Sequence, residues 1–209
     1  MKFESRWDMQ VDQPQEIIDP EVFHWDESAD VVVVGLGGAG VAAALEAVEY
    51  GLSVCAVDRY QGGGSSAANG GVFYAGGGTK IQRDAGETDS VEEMFKYLKL
   101  EVGGVISDAT LLDFCRESAG ALDWLIGHGA KFEGKVYKKK TGYPPLDYYL
   151  YHADSSLAEP YATIAKPAAR GHRVVARNGK KAWGLGKGIY DPLRAAALRA
   201  EEETRRARL

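Results

Sequence analysis

With 209 residues, 45 % of them hydrophobic and 26 % charged, the chain is large and apolar enough to bury the core of a globular domain. Its formal net charge of −5 disfavours nucleic acid as a partner, because phosphate binding calls for a basic surface. Two cysteines, Cys55 and Cys115, are too few for a disulfide framework, and each falls in an apolar pattern that suits a small buried hydrophobe.

Residues 1–28 form a polar lead-in with no apolar run of signal-peptide length. No run anywhere approaches the ~20 apolar residues that span a bilayer, so the expected compartment is the cytoplasm. From Asp30 to Val34 four consecutive valines predict a short strand, and an unbroken β-branched run predicts burial on both faces, as in a parallel sheet. A glycine turn follows over Gly35–Gly40. An alanine-rich helix is expected from Ala39 to Tyr50, closed by Gly51, and a second apolar strand from Leu52 to Val57 ends at Asp58. Strand, turn, helix and strand in about 30 residues make one βαβ crossover.

Gly35, Gly37 and Gly40 stand at G-x-G-x-x-G spacing. The spacing alone is weak, but here it follows a strand and opens a helix, the context that gives each glycine a physical task. Gly35 permits the tight turn, Gly37 leaves room for a pyrophosphate against the backbone, and Gly40 lets helix and strand pack closely. The helix N-terminus offers unpaired N–H groups and partial positive charge to phosphate. Asp58, eighteen positions after Gly40, suits the hydroxyls of an adenosine ribose and would repel the 2′-phosphate of NADP.

The segment 62–78 holds eight glycines in 17 positions. A nicotinamide domain would enter another regular α/β unit here. This chain instead offers Gly62, Gly63, Gly64, Ser65 and Ser66, whose adjacent N–H groups and hydroxyls suit a pyrophosphate and a ribityl chain. Gly70 and Gly71 would let backbone lie flat against an isoalloxazine ring. The apolar Ala67, Ala68, Val72, Phe73 and Tyr74 distinguish the segment from a solvated linker.

Further on, Ser90 and Glu93 predict a capping box at the head of a helix that buries Val91, Met94, Leu98 and Leu100. Ser107 opens another, with Leu111, Leu112, Cys115, Ala119, Leu122 and Leu125 inward, ending at Gly127 or Gly129. Residues 130–180 predict short strands and loops. Tyr143, Tyr148, Tyr149, Tyr151 and Tyr161 read as an amphipathic packed cluster, with no catalytic role assigned, and His172 as polar surface. Lys138, Lys139 and Lys140 form a solvated basic run. Asp191 and Pro192 are expected to open a final helix. No zinc, iron–sulfur or nucleophile-elbow pattern occurs.

The runs VVVVGLGGAG, GGGSSAANGGVFYAGGGT and ARGHR resemble the FAD-dependent oxidoreductases that include fumarate reductase flavoproteins and 3-ketosteroid dehydrogenases, closest to the ketosteroid Δ4-dehydrogenase-like branch. The resemblance spans about residues 29–195. It implies an α/β fold, a Rossmann-like FAD-binding domain on a parallel βαβ core over 29–209, and FAD as cofactor. Carried over by position, it implicates Gly35, Gly37, Gly38, Ala39, Gly40, Asp58, Arg59, Gly64, Ser65, Ser66, Gly70 and Gly71 in cofactor binding. It implies hydride transfer between flavin N5 and a substrate C–H next to a carbonyl, as in ketosteroid dehydrogenation. Alternatives are fumarate-reductase-type reduction of a small unsaturated dicarboxylate, and a flavin-binding remnant without catalysis. The substrate is accordingly a small molecule, steroid-like or dicarboxylate.

In that family the helix matching DPLRAAALRA leads into another sheet strand, and the substrate-capping domain and catalytic acid/base residues come later in a chain more than twice as long. Here EEETRRARL follows, charged and helical. The expectation is a truncated chain whose fold is incomplete and whose substrate-capping domain is absent. The alternative is a small protein that closes its sheet with strands from residues 130–175.

Overall fold

A computed structural model describes residues 15–175 and 185–207, with side chains as far as Glu203. Residues 1–14 of the expected lead-in and the end of the EEETRRARL run lie outside the described residues. The fold is α/β. Strand β1 (Val31–Val34) leads through the glycine turn into helix α1 (Gly38–Glu49) and back to strand β2 (Val54–Val57). The strands pair in parallel, in register from Val31 with Val54 to Val34 with Val57. Asp30 and Ser53 brace the strand starts, each side chain accepting the other's backbone N–H at 2.8–2.9 Å.

The valine strand departs from the expected burial on both faces. Val33 is covered, whereas Val32 is 62 % and Val34 83 % exposed. The reason lies in the sheet, which holds two strands among the described residues and is covered on the α1 side. Hydrophobicity reported what the strand can bury; it carries no information on how many layers are there to bury it.

Helix α2 (Gly64–Ala68) and strand β3 (Val72–Tyr74) follow, then α3 (Lys80–Asp84), α4 (Val91–Val102) and α5 (Asp108–Gly127). Ser90 caps α4, its Oγ accepting from the Glu93 N–H at 3.2 Å. The expected capping box is half made: the Glu93 carboxylate turns instead to the Lys166 N–H and the Lys96 ammonium. The inward set of α4 is Met94 and Tyr97, while Leu100 is 39 % exposed, a correction to the apolar stripe expected there. Tyr97 buries its ring against Tyr161 and the Arg170 guanidinium, and holds Glu101 through its hydroxyl. Along α5 the buried residues Leu111, Cys115, Leu122 and Leu125 keep helical period.

Strands β4 (Val136–Tyr137), β5 (Leu150–Tyr151) and β6 (Gly171–Arg173) join β3 in a second, mixed sheet of order β3-β6-β5-β4, with helix α6 (Tyr161–Ile164) between β5 and β6. Strands from 130–175 therefore build a separate sheet with β3 and do not widen the parallel one. Leu122 of α5 packs beneath this sheet with Ala75, Ile81, Leu150 and Ala169. Helix α7 (Lys187–Ala207) returns to α1, where Tyr190, Leu193 and Ala196 close over Val41, Leu45 and Leu125. It begins at Lys187, ahead of the expected Asp191, so Pro192 lies inside it. The early start is tied down by the Gly186 N–H, which donates to the Asn69 carbonyl at 3.1 Å.

Candidate functional site

The C-terminal ends of β1 and β2 deliver the glycine turn and Asp58 to one edge of the parallel sheet. Gly35 adopts φ +93, a conformation that resists a side chain. A Cβ on Gly40 would lie 1.9 Å from the Gly35 carbonyl oxygen, so only glycine lets α1 approach the turn this closely. Gly37 is different: a Cβ there would meet nothing within 4 Å, and the space in front of it is open. Of the four N-terminal amides of α1, Gly38 donates to Ser66 Oγ at 3.1 Å, and those of Gly37, Ala39 and Gly40 find no acceptor among the described residues. Three amides beside open space at the positive end of a helix form a cradle for a polyanion.

Asp58 sits over the mouth of the turn. Its carboxylate accepts the Leu36 N–H at 2.6 Å and the Tyr60 N–H at 2.8 Å. These donors hold the carboxyl below the usual carboxylate range, Tyr60 contributing most and Leu36 next. Asp58 thus braces the turn it serves, and each oxygen keeps a second lone pair for a sugar hydroxyl. Arg59, adjacent, is exposed.

The second glycine segment closes against the first. Gly63 donates its N–H to the Leu36 carbonyl at 2.7 Å, and Ser66 reaches Gly38 as above, so Gly64, Ser65 and Ser66 stand opposite the turn. A cavity of about 380 Å³ opens beside Gly38 and Ser66, walled by Phe73, Trp124, Ile189 and Leu193. Gly70 and Gly71 lie where β3 begins. The space a Cβ would occupy on Gly70 is taken by the Tyr143 ring at 2.9 Å, and on Gly71 by Val174 at 2.7 Å and the Leu185 backbone. Their missing side chains serve packing within the chain on at least one side.

Behind this surface lies a buried polar network. Thr79 and Gln82 form a capping box at the head of α3. The T-x-x-Q spacing of Thr79 and Gln82 is the sequence signal for this box. Gln82 Nε2 donates to the Ala169 carbonyl at 2.8 Å, and Thr79 Oγ1 lies 3.0 Å from His172 Nε2. His172 is 1 % exposed, which corrects the expectation of a surface histidine. Its Nδ1 lies 3.0 Å from the Arg170 carbonyl, an acceptor only, so the proton belongs on Nδ1 and Nε2 receives the Thr79 hydroxyl. Burial pushes the imidazole down to about 4 and keeps it neutral. Arg170, fully buried, is gripped by Asp89 through two hydrogen bonds at 2.8 and 2.9 Å. Asp89 and Arg170 are 81 positions apart, and no local pattern announces such a pair.

The tyrosines divide by environment. Tyr151 is buried, its phenol pushed up to about 12 mainly by desolvation. Tyr74 donates to Asp154 at 2.6 Å, and Tyr143 donates to the Gly70 carbonyl at 2.9 Å. Cys115 is buried and its thiol pushed up to about 11 by desolvation, the state of an inert core thiol. Cys55 is half-buried. No group of His, Cys, Asp and Glu among the described residues could hold a metal ion, and no helix among them is long and apolar enough to cross a membrane.

An open cradle of amides, a braced carboxylate at the second strand and an opposing glycine–serine segment fit a dinucleotide whose diphosphate lies over Gly37. The model of the FAD binding domain family matches residues 30–209. The chain belongs to that family. FAD is the cofactor the family's domain takes, and its relatives are oxidoreductases of the ketosteroid dehydrogenase and fumarate reductase kind. The chain is 44 % identical over 156 residues to the 3-oxo-5-alpha-steroid 4-dehydrogenase of Comamonas testosteroni, matching 73 % of this chain and 29 % of that one. It is 32 % identical over 120 residues to the digoxin reductase of Eggerthella lenta, 56 % of this chain and 21 % of that one. Among solved structures it is similar to the 3-ketosteroid-delta4-(5alpha)-dehydrogenase of Rhodococcus jostii. The TM-score there is 0.80 at 36 % identity, over 86 % of this chain and 38 % of that one. A flavocytochrome c3 fumarate reductase follows with TM-score 0.57 at 27 % identity, over 84 % and 26 %. The chain thus spans less than two-fifths of the length of each of these relatives.

Proposed function

We propose that residues 29–209 form the FAD-holding part of an oxidoreductase acting on a ketosteroid-like substrate, with the substrate-capping part of such an enzyme outside this stretch. The observation that carries the reading is the open cradle at Gly37, where three unpaired amides of α1 face a space a Cβ would fill, under a carboxylate already held ionised. When bound there, FAD supplies the acceptor for a hydride from a substrate C–H next to a carbonyl. The chain's own share is binding and orientation. The amides of Gly37, Ala39 and Gly40 take the diphosphate, Asp58 the ribose hydroxyls, and Gly64, Ser65 and Ser66 the facing side of the cofactor. The arrangement of Gly70 and Gly71 supports a role at the edge of the ring, since their far sides are already packed by Tyr143 and Val174.

Identity of 44 % with a 3-oxo-5-alpha-steroid 4-dehydrogenase supports the steroid class. A second reading, reduction of a small unsaturated dicarboxylate, draws on 39 % identity over 106 residues with the NADH:fumarate oxidoreductase of Klebsiella pneumoniae. Two assays on the protein carrying this domain separate them: a 3-ketosteroid with an artificial electron acceptor, and fumarate with a reduced dye. Turnover of the steroid alone is expected. Turnover of fumarate alone would replace the first reading by the second.

A further inference from the structure

Two buried arginines of opposite circumstance stand at strand β6, Arg170 just before it and Arg173 at its end. Arg170 is neutralised by Asp89, with Asp154 3.7 Å away. Arg173 is 2 % exposed and has no carboxylate within ion-pair distance among the described residues. Its Nη2 donates to the Leu146 carbonyl, while Nε and Nη1 are buried with no hydrogen-bond partner. The Tyr149 and Tyr143 rings flank the guanidinium at 4.6 and 5.5 Å from their centroids. Ring faces compensate a cation partly, and they leave the two N–H groups unmet. His172, which lies between the two arginines, is neutral. β6 therefore carries one uncompensated positive charge in a low-dielectric setting, an arrangement that is expensive and calls for a reason.

Its position supplies one. Arg173 pairs with Val72, directly after Gly70 and Gly71. The next residue, Val174, donates its N–H to the Gly71 carbonyl at 2.8 Å, and Tyr143 links Arg173 to Gly70 by stacking on one and donating to the other. Resting on the reading that the flavin ring lies along Gly70–Gly71, we propose that Arg173 raises the reduction potential of the bound flavin. Reduction adds electron density to the ring system, and a fixed positive charge nearby favours the more negative form without touching it. A unit charge about 10 Å away at an effective dielectric of about 20 is worth about one factor of ten in such an equilibrium.

The test measures FAD affinity in the oxidised and reduced states, and the potential of the bound flavin, for the unaltered chain, R173K and R173Q. In the unaltered chain reduced FAD is expected to bind more tightly than oxidised FAD, giving a bound potential above that of free FAD. R173Q should lower the ratio of oxidised to reduced dissociation constants about tenfold, and R173K, which keeps the charge, should restore most of it. A purely structural Arg173 would weaken both affinities together and leave their ratio alone. An unchanged ratio in R173Q, an equal change in R173K, or a bound potential below that of free FAD in the unaltered chain overturns the proposal. The last measurement needs no variant, so a misfolded R173Q does not leave the matter open. Failure of the unaltered chain to bind FAD in either state would instead sink the FAD reading.

Discussion

Replacing Gly37 with valine should separate binding from folding, because Gly37 and Gly40 lack side chains for different reasons. At Gly37 the backbone has φ −78 and ψ −167, which valine adopts readily, and an added Cβ meets nothing within 4 Å. Removing glycine lowers the entropy of the unfolded chain by about 0.4–1 kcal/mol in the folded state's favour, while loss of a preferred N-cap residue takes back a few tenths or more. The two nearly cancel, so the melting temperature without cofactor should move by about 2 °C at most. FAD binding should nonetheless fall below detection, since the side chain stands in the place proposed for the diphosphate. At Gly40 the added atom lies 1.9 Å from the Gly35 oxygen, about 1.5 Å inside the 3.4 Å at which ordinary contact begins. Gly40→Ala must push α1 from β1, at about 1–3 kcal/mol for such overpacking, and lose several degrees as well as FAD. Thermal melts and FAD titrations of both variants decide the matter. A G37V protein that binds FAD like the unaltered chain, or a G40A protein that melts with it, refutes the reasoning.

Asp58→Ala, which removes the acceptor for the Leu36 and Tyr60 amides together with the proposed ribose contact, should weaken FAD binding about tenfold or more in a direct titration. Asp89→Asn leaves Arg170 charged and underpaired in the core and should cost about 3–5 kcal/mol, read by urea unfolding at neutral pH. His172 titrates at about 4 folded against 6.5 unfolded, so between those values the unfolded chain holds more protons and stability drains away as pH falls through that window. His172→Gln should remove that part of the acid slope, on the order of 3 kcal/mol, in unfolding curves taken at pH 4 and pH 7. Cys115, buried and with its thiol pushed up to about 11, should stay unlabelled by thiol reagents at pH 8 until the protein unfolds.

What the sequence made legible is local. The βαβ unit follows from four valines, a glycine turn, an alanine helix and an apolar strand within about 30 residues, where period and punctuation suffice. Gly35 and Gly40 do what their spacing implied, as +93 in φ and a 1.9 Å clearance attest. The misses are of long range. The exposure of Val32 and Val34 depends on how many layers flank the sheet, which no strand encodes. His172 is buried because β6 lies between β3 and β5, a neighbourhood set by residues up to about a hundred positions away. Leu100 and Tyr97 exchanged roles because Tyr161 and Arg170, far along the chain, offered the ring a place to pack. Nothing local marks Arg173, because a buried arginine with no carboxylate beside it is a property of the neighbours the fold brings to β6.

The most direct measurement is an absorbance spectrum of the purified chain after incubation with FAD and removal of unbound cofactor, with the chromophore quantified against protein. About one oxidised flavin per chain is predicted, lost in G37V while the melting curve stands. A folded chain that elutes colourless contradicts the account.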